Sequence, residues 1–327
     1  MATTDRKTEH LRICLSRDVE AGSAGFEKVS LPHTELPELD LDKISTEASF
    51  LGKSLRFPLI IEALTGGTKM SKRINRDLAA VAQEFGIGFG VGSQRAALED
   101  PKVADTYRVR DVAPGAFLIA NLGAVQLNCG YGLEECRKAV EMIGADALAL
   151  HVNPLQEAVQ PEGDTNFEGL TKKINEIAKK LDVPLIVKGV GSGVSLDDAK
   201  KLKVSAIDVG GVGGTSWSVV ESYRSGNDVG MSFAGWGMPT ADCIIQLKDI
   251  GMPLVASGGV RSGIDIAKAV SMGASCAGIA LPLLKAWERK KKGGVREYVQ
   301  KTLKEFRIAM FLTGSENVEA LKGKARY

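Results

Sequence analysis

The stretch Phe117–Val152, FLIANLGAVQLNCGYGLEECRKAVEMIGADALALHV, holds two short apolar runs separated by an amphipathic segment. Phe117–Leu122 and Ala147–Val152 are built from branched and small apolar residues, as strands buried on both faces should be. Between them Leu133–Ile143 carries its apolar residues at helical spacing and stops before Gly144, which suits a left-handed helix C-cap. Two like strands joined by a helix make a parallel crossover unit.

The same order repeats on either side. Apolar runs begin at 57, 87, 117 and 147, a period of 30 residues, and read Phe57–Leu64, Ile87–Val91, Phe117–Leu122 and Ala147–Val152. Four more follow: Pro184–Val190, Ala206–Val209, Pro253–Ala256 and Cys276–Ala280. Helical spacing recurs in Arg73–Phe85, Phe167–Leu181, Leu196–Leu202 and Ile264–Met272, and Gly86 and Gly273 fit C-caps as Gly144 does. Eight strand–helix units are the number that closes a (β/α)₈ TIM barrel. A doubly wound open sheet is the rival, but no GxGxxG follows the first strand. The units after Val152 and Val209 are long enough to hold insertions. Residues 1–54 read as a cap or lid segment and 55–327 as the barrel, one domain overall, with Arg296–Leu312 as the last helix. The basic run Glu288–Lys292 reads as a solvated helix end.

Composition narrows the class. Of 327 residues 44% are hydrophobic and 25% charged, so wholesale disorder is excluded. Lys plus Arg less Asp plus Glu is 42 − 40 = +2, which gives no electrostatic case for nucleic acid or an anionic membrane. No apolar run is long enough to span a bilayer, and the polar start of the chain has no signal-peptide core. Five cysteines at unrelated spacings point to a reducing cytoplasm, and three dispersed histidines argue against a zinc site. The 37 glycines imply many tight turns where a ligand can approach the main chain.

A barrel of this kind carries its site at the C-terminal ends of its strands. Polar residues collect there after nearly every run: Ala63-Leu64-Thr65, Ser93-Gln94-Arg95, Asn121, His151-Val152-Asn153, Lys188, Thr215, Ser257 to Arg261, and Ala280-Leu281. The turns Gly213-Gly214-Thr215 and Gly258-Gly259-Val260-Arg261 expose main-chain N–H groups suited to phosphate. Lys188 ends an otherwise apolar strand. A buried ammonium is costly unless paired, so it is expected to face a ligand's charge or polar rim. His151, Asn153, Gln156 and Glu157 form a donor-rich wall with one carboxylate, fit for acid–base work or for Mg²⁺ held together with substrate phosphates. Arg6, Lys7 and His10 read either as a tail or as a lid that brings positive charge onto an anion.

These motifs together are specific. Arg6-Lys7-Thr8-Glu9-His10, Leu64-Thr65-Gly66-Gly67-Thr68, Gly92-Ser93-Gln94-Arg95, His151-Val152-Asn153-Pro154-Leu155-Gln156-Glu157 with Gln160 to Asp164, and Gly213 to Trp217 resemble type 2 isopentenyl-diphosphate isomerase. The resemblance runs from about residue 5 to residue 312. It implies an FMN- and Mg²⁺-dependent barrel that interconverts isopentenyl diphosphate and dimethylallyl diphosphate, with NADPH or a similar donor reducing the flavin. By that resemblance Ala63, Leu64, Thr65, Ser93, Asn121, Lys188 and Thr215 hold FMN, with Gly258, Gly259, Arg261, Ala280 and Leu281 about its phosphate. Arg6, Lys7, His10, Ser93, Arg95, Asn153 and Gln156 hold the substrate, Glu157 the metal, and Gln156, His151 and Glu157 are the catalytic candidates. It also implies a homo-oligomer, a tetramer or larger. One departure is Gly189, where the family pattern has Glu after the strand-five lysine.

Two rival functions differ in what they predict. An FMN-dependent oxidoreductase of the 2-hydroxy-acid oxidase kind shares the phosphate loops but gives no reason for the RKxEH opening. A non-catalytic flavin-binding protein would be yellow and inert on allylic diphosphates.

Overall fold

The computed structural model describes residues 3–327. Its strands are β1 (Ala48–Phe50), β2 (Lys53–Leu55), β3 (Leu59–Ile61), β4 (Gly88–Gly90), β5 (Phe117–Gly123), β6 (Ala147–Val152), β7 (Leu185–Gly189), β8 (Ala206–Asp208), β9 (Leu254–Ser257) and β10 (Cys276–Ile279). β3 to β10 form a closed, all-parallel barrel in sequence order, sealed where β10 pairs with β3. All eight strands fall inside or within one residue of the apolar runs of the sequence. The TIM barrel is confirmed.

Alternation along these short strands sends one side chain inward and the next outward. Ile60, Ile119, Ala149, Ile186 and Val255 fill the barrel interior together with Phe50 and Leu55 of the β1–β2 hairpin. That antiparallel hairpin plugs the lower end, with Phe50 edge-on to Phe117 at 5.8 Å. Leu59, Ile61, Leu118 and Leu148 point outward into the layer shared with the helices.

The helices are α1 (Thr3–Ser16), α2 (Lys69–Phe85), α3 (Arg95–Glu99), α4 (Leu133–Ile143), α5 (Pro154–Val159), α6 (Leu170–Lys180), α7 (Leu196–Ala199), α8 (Trp217–Ser225), α9 (Thr240–Leu247), α10 (Gly263–Met272), α11 (Leu281–Leu312) and α12 (Val318–Leu321). α2 starts four residues before its expected Arg73 because Thr68 caps it, its hydroxyl accepting from Ser71 N. Gly86 and Gly144 adopt the left-handed cap, whereas Gly273 has φ 121° and ψ 1°, outside it. α5 and α8 are the extra helices of the two long units, α9 being the one that packs on β9. The helix expected at Arg296–Leu312 begins at Leu281 and is broken at Lys290 and Lys291, inside the basic run, and the short α12 follows it.

The first part of the chain works at both ends of the barrel. While the hairpin closes the bottom, α1 lies against α8 and α11 at the top. The strap after it is stitched to the upper loops, with Ser216 N donating to Val19 O and Ala241 N to Ala24 O. All five cysteines are free thiols.

Candidate active site

At the C-terminal mouth of the barrel lies a cavity of about 250 Å³. Every residue given a cofactor, substrate, metal or catalytic role from the sequence lines it, from Arg6, Lys7 and His10 on α1 to Ala280 and Leu281 at the start of α11, whereas Gln94 turns away to donate to Ala139 O. A shared site therefore accounts for the polar strand ends.

Strand register builds the floor. His151, Lys188 and Asp208 are direct partners across β6, β7 and β8. Lys188 Nζ sits 2.5 Å from Asp208 Oδ2 and 2.9 Å from Glu62 Oε2, and Ser257 donates to Asp208. The ammonium was expected to face a ligand's charge or polar rim. It lines the cavity, and within the protein its charge is met by two carboxylates the sequence reading passed over. Burial opposes the lysine's charge, but Asp208 and Glu62 outweigh it and its pKa is raised. Burial, then Asp208, push the Glu62 carboxyl up to about 7 against the pull of Lys188.

Beside this row, Asn121 Nδ2 donates to Val91 O, so its Oδ1 is the acceptor and His151 Nδ1, 2.8 Å away, is the donor. Burial, with Lys188 and Lys7 nearby, lowers the imidazole to about 4. His151 is thus neutral near pH 7, with the lone pair left on Nε2. Gly189 is close-packed: a Cβ there would meet Val209 O at 2.5 Å, so a larger residue requires the backbone to shift.

The wall comes from the loop after β6 and from α5. Asn153 Nδ2 donates to Glu157 Oε1 at 2.8 Å, while Gln160 Nε2 and Asp164 N donate to Oε2 at 2.5 and 2.8 Å. Asn153 Oδ1 is buried without a hydrogen-bond partner. A carboxyl group beside an orphaned amide carbonyl offers the oxygen ligands that suit a hydrated hard cation. No cluster of three or more His, Cys, Asp or Glu that could hold a metal exists among the described residues, so any such ion needs substrate oxygens and water. Gln156 Nε2 donates to Glu221 Oε1 at 2.9 Å, and His10 Nε2 approaches the same oxygen at 2.9 Å. Burial works against the Glu221 charge, but hydrogen bonds from His10, Gln156 and Arg224 hold its pKa down at about 2. Glu221 lies inside the apolar stretch of α8, and nothing in its spacing marked it beforehand.

α1 and α3 contribute cations already paired with protein oxygens. Lys7 Nζ is 2.5 Å from both Ser93 O and Tyr107 Oη, and burial, with Arg6, lowers it to about 7. Arg6 is 3.7 Å from Glu162, and Arg95 pairs with Glu99 and Asp164 at 2.7 and 2.8 Å.

At the opposite end, Gly258 and Gly259 turn at φ 97° and 75°, and α11 starts at Leu281 with no side-chain cap. Main-chain N–H groups exposed at such a glycine turn, beside a helix start, fit a phosphate. Arg261 pairs there with Glu20 of the strap, which also lies 3.3 Å from Lys285. A flat ring edge would meet the donors and acceptors of the floor, and the terminal phosphate the turn. The residues present therefore fit FMN.

Barrel, phosphate turn and floor lysine together define a flavin-dependent class, and residues 134–326 match the family model of FMN-dependent dehydrogenases. A mandelate oxidase variant carrying an FMN adduct shares the fold, with a TM-score of 0.63 and 17% identity over 99% of this chain and 92% of that one. Much closer in sequence are isopentenyl-diphosphate delta-isomerases from Nostoc sp., 47% identical over 98% of this chain and 94% of the relative, and from Thermococcus kodakarensis, 48% identical over 98% and 90%. The chain belongs to the isopentenyl-diphosphate delta-isomerase family. The hydroxy-acid oxidase alternative is not favoured, since the solved oxidase is 17% identical where the named isomerases are 47% and 48% identical.

Proposed function

We propose that this protein is an isomerase interconverting isopentenyl diphosphate and dimethylallyl diphosphate for isoprenoid synthesis, redox-neutral overall. Identity of 47–48% over nearly the whole chain to relatives bearing that name carries the reading. Reduced FMN, bound along Ala63 to Thr65, Ser93, Asn121, Lys188 and Thr215 with its phosphate at Gly258, Gly259, Arg261, Ala280 and Leu281, would supply an acid–base group and an electron-rich surface. Mg²⁺ at Glu157 would neutralise the diphosphate. NADPH is the proposed reductant, the cytoplasm the proposed compartment, and a homo-oligomer of four or more subunits the proposed assembly. No helix among the described residues is long and apolar enough to cross a membrane.

The chain's own residues then do three things. Arg6 and Arg95 exchange Glu162 and Asp164 for the diphosphate, anchoring the substrate by its remote end. Lys7, poised near neutrality by burial, is drawn to its charged form by the incoming anion. Glu221, ionised and buried, fixes the Gln156 amide with its N–H₂ toward the carboxylate, and Gln156 holds or passes the proton that moves between substrate carbons. His151 offers only its Nε2 lone pair.

Arg6→Ala should raise KM for the diphosphate roughly tenfold, the scale of one lost charge-assisted hydrogen bond, with kcat little changed. An unchanged KM would sink the lid's role. The activity itself is tested anaerobically with FMN, Mg²⁺, dithionite and isopentenyl diphosphate. Catalytic formation of dimethylallyl diphosphate without stoichiometric loss of reductant is expected. No product, with the flavin bound and reduced, would remove the substrate assignment.

A further inference from the structure

The cavity floor carries more acid than its lysine can neutralise. Glu62 follows β3, is buried, and reaches Lys188 from the end of that strand as Asp208 does from β8. The fold makes room for it: a Cβ at Gly278 on β10 would collide with the Glu62 carboxyl group, so the neighbouring strand is thinned to admit it. Burying a carboxylic acid costs several kcal/mol unless it is paired, and this one is paired to the single cation of the floor.

We propose that Glu62 is a positioning residue for the flavin end of the site. With Asp208 it pins Lys188 Nζ and cancels its charge, so that the floor offers the ring a hydrogen-bond donor without a net positive field. The inference rests on the reading that FMN occupies this cavity. Besides Lys188 and Asp208, the titratable group near Glu62 is Cys276 on β10, whose thiol burial pushes well up and keeps uncharged. Ser257 contributes a donor to Asp208 and no charge. Glu62, raised toward neutrality, is then the floor group able to change protonation when the charge of the ring changes.

Glu62→Gln keeps the shape and removes the charge. In FMN-loaded protein it should raise the two-electron midpoint potential by about 30 mV or more, a tenfold greater preference for reduced flavin. Absorbance of the dithionite-reduced holoprotein should show the N1 proton leaving at lower pH. In a Lys188→Met background the same substitution should shift nothing, because a carboxyl left beside Asp208 without the ammonium is already neutral. Glu62→Asp, which keeps the charge but retracts it, should move the potential in the same direction by less, and it serves if the Gln variant does not fold.

An unchanged potential in the Glu62 variants, or an equal shift with and without Lys188, overturns the inference while leaving the flavin reading intact. Wild-type protein that binds no FMN removes that reading, and the inference with it.

Discussion

Lys188→Met should cost about 3–5 kcal/mol of folding stability, because it leaves Glu62 and Asp208 buried and unpaired. The deficit should depend on pH with a definite sign. The Glu62 carboxyl, raised to about 7 in the folded chain from an ordinary 4.5, binds its proton more tightly folded than unfolded. Stability is therefore lost as pH rises between those values. Without the ammonium the carboxyl rises further and the loss deepens. Denaturant unfolding of the apoprotein should show a smaller gap between variant and wild type at pH 5 than at pH 8. A gap equal at both would contradict the charge arrangement of the floor.

The second large effect is expected at Glu157. Its carboxylate accepts from Asn153, Gln160 and the Asp164 main chain, all hydrogen-bond donors. Glu157→Gln removes the charge and turns an amide N–H₂ toward at least one of those donors, leaving a buried donor unpaired at about 1–3 kcal/mol. On the proposed role, kcat/KM should fall by about 100-fold to 1000-fold, the scale of losing one preorganised electrostatic partner of the reacting charge. The Mg²⁺ concentration for half-maximal rate should rise. Activity titrated against Mg²⁺ checks this, and an unaltered Mg²⁺ dependence would remove Glu157 as the metal's holder.

Fold and site differ in how far the sequence reveals them, and the difference is physical. The barrel was legible because each strand is buried on both faces and so appears as an unbroken apolar run, with β3 to β6 at even spacing. Strand-end residues such as Lys188, Asn121 and Thr215 could be gathered because the barrel puts all such ends at one mouth. What escaped were residues whose meaning depends on a neighbour distant in sequence. Glu62 and Asp208 each stand inside an apolar run, and only closure of β10 on β3 and the register of β7 with β8 bring both to Lys188. Glu221 and Glu20 are met by side chains from other elements, His10 and Arg261, and no local period encodes either pairing. The helix limits at Lys69 and Leu281 were missed for a local reason: caps and uncapped starts lie outside the amphipathic repeat.

The seam of the barrel bears on biosynthesis. Ile60 of β3 bonds alongside Gly278 of β10, so the first barrel strand to leave the ribosome waits for the last. Until then the nascent sheet has two unpaired edges flanked by apolar side chains, the condition most prone to sticking to other chains. Contacts between such distant parts of a chain also form slowly. Yield in a host cell should therefore depend on how well those edges are shielded during translation: extra chaperone or slower synthesis is expected to raise the amount of protein recovered and to leave the activity of each closed barrel unchanged.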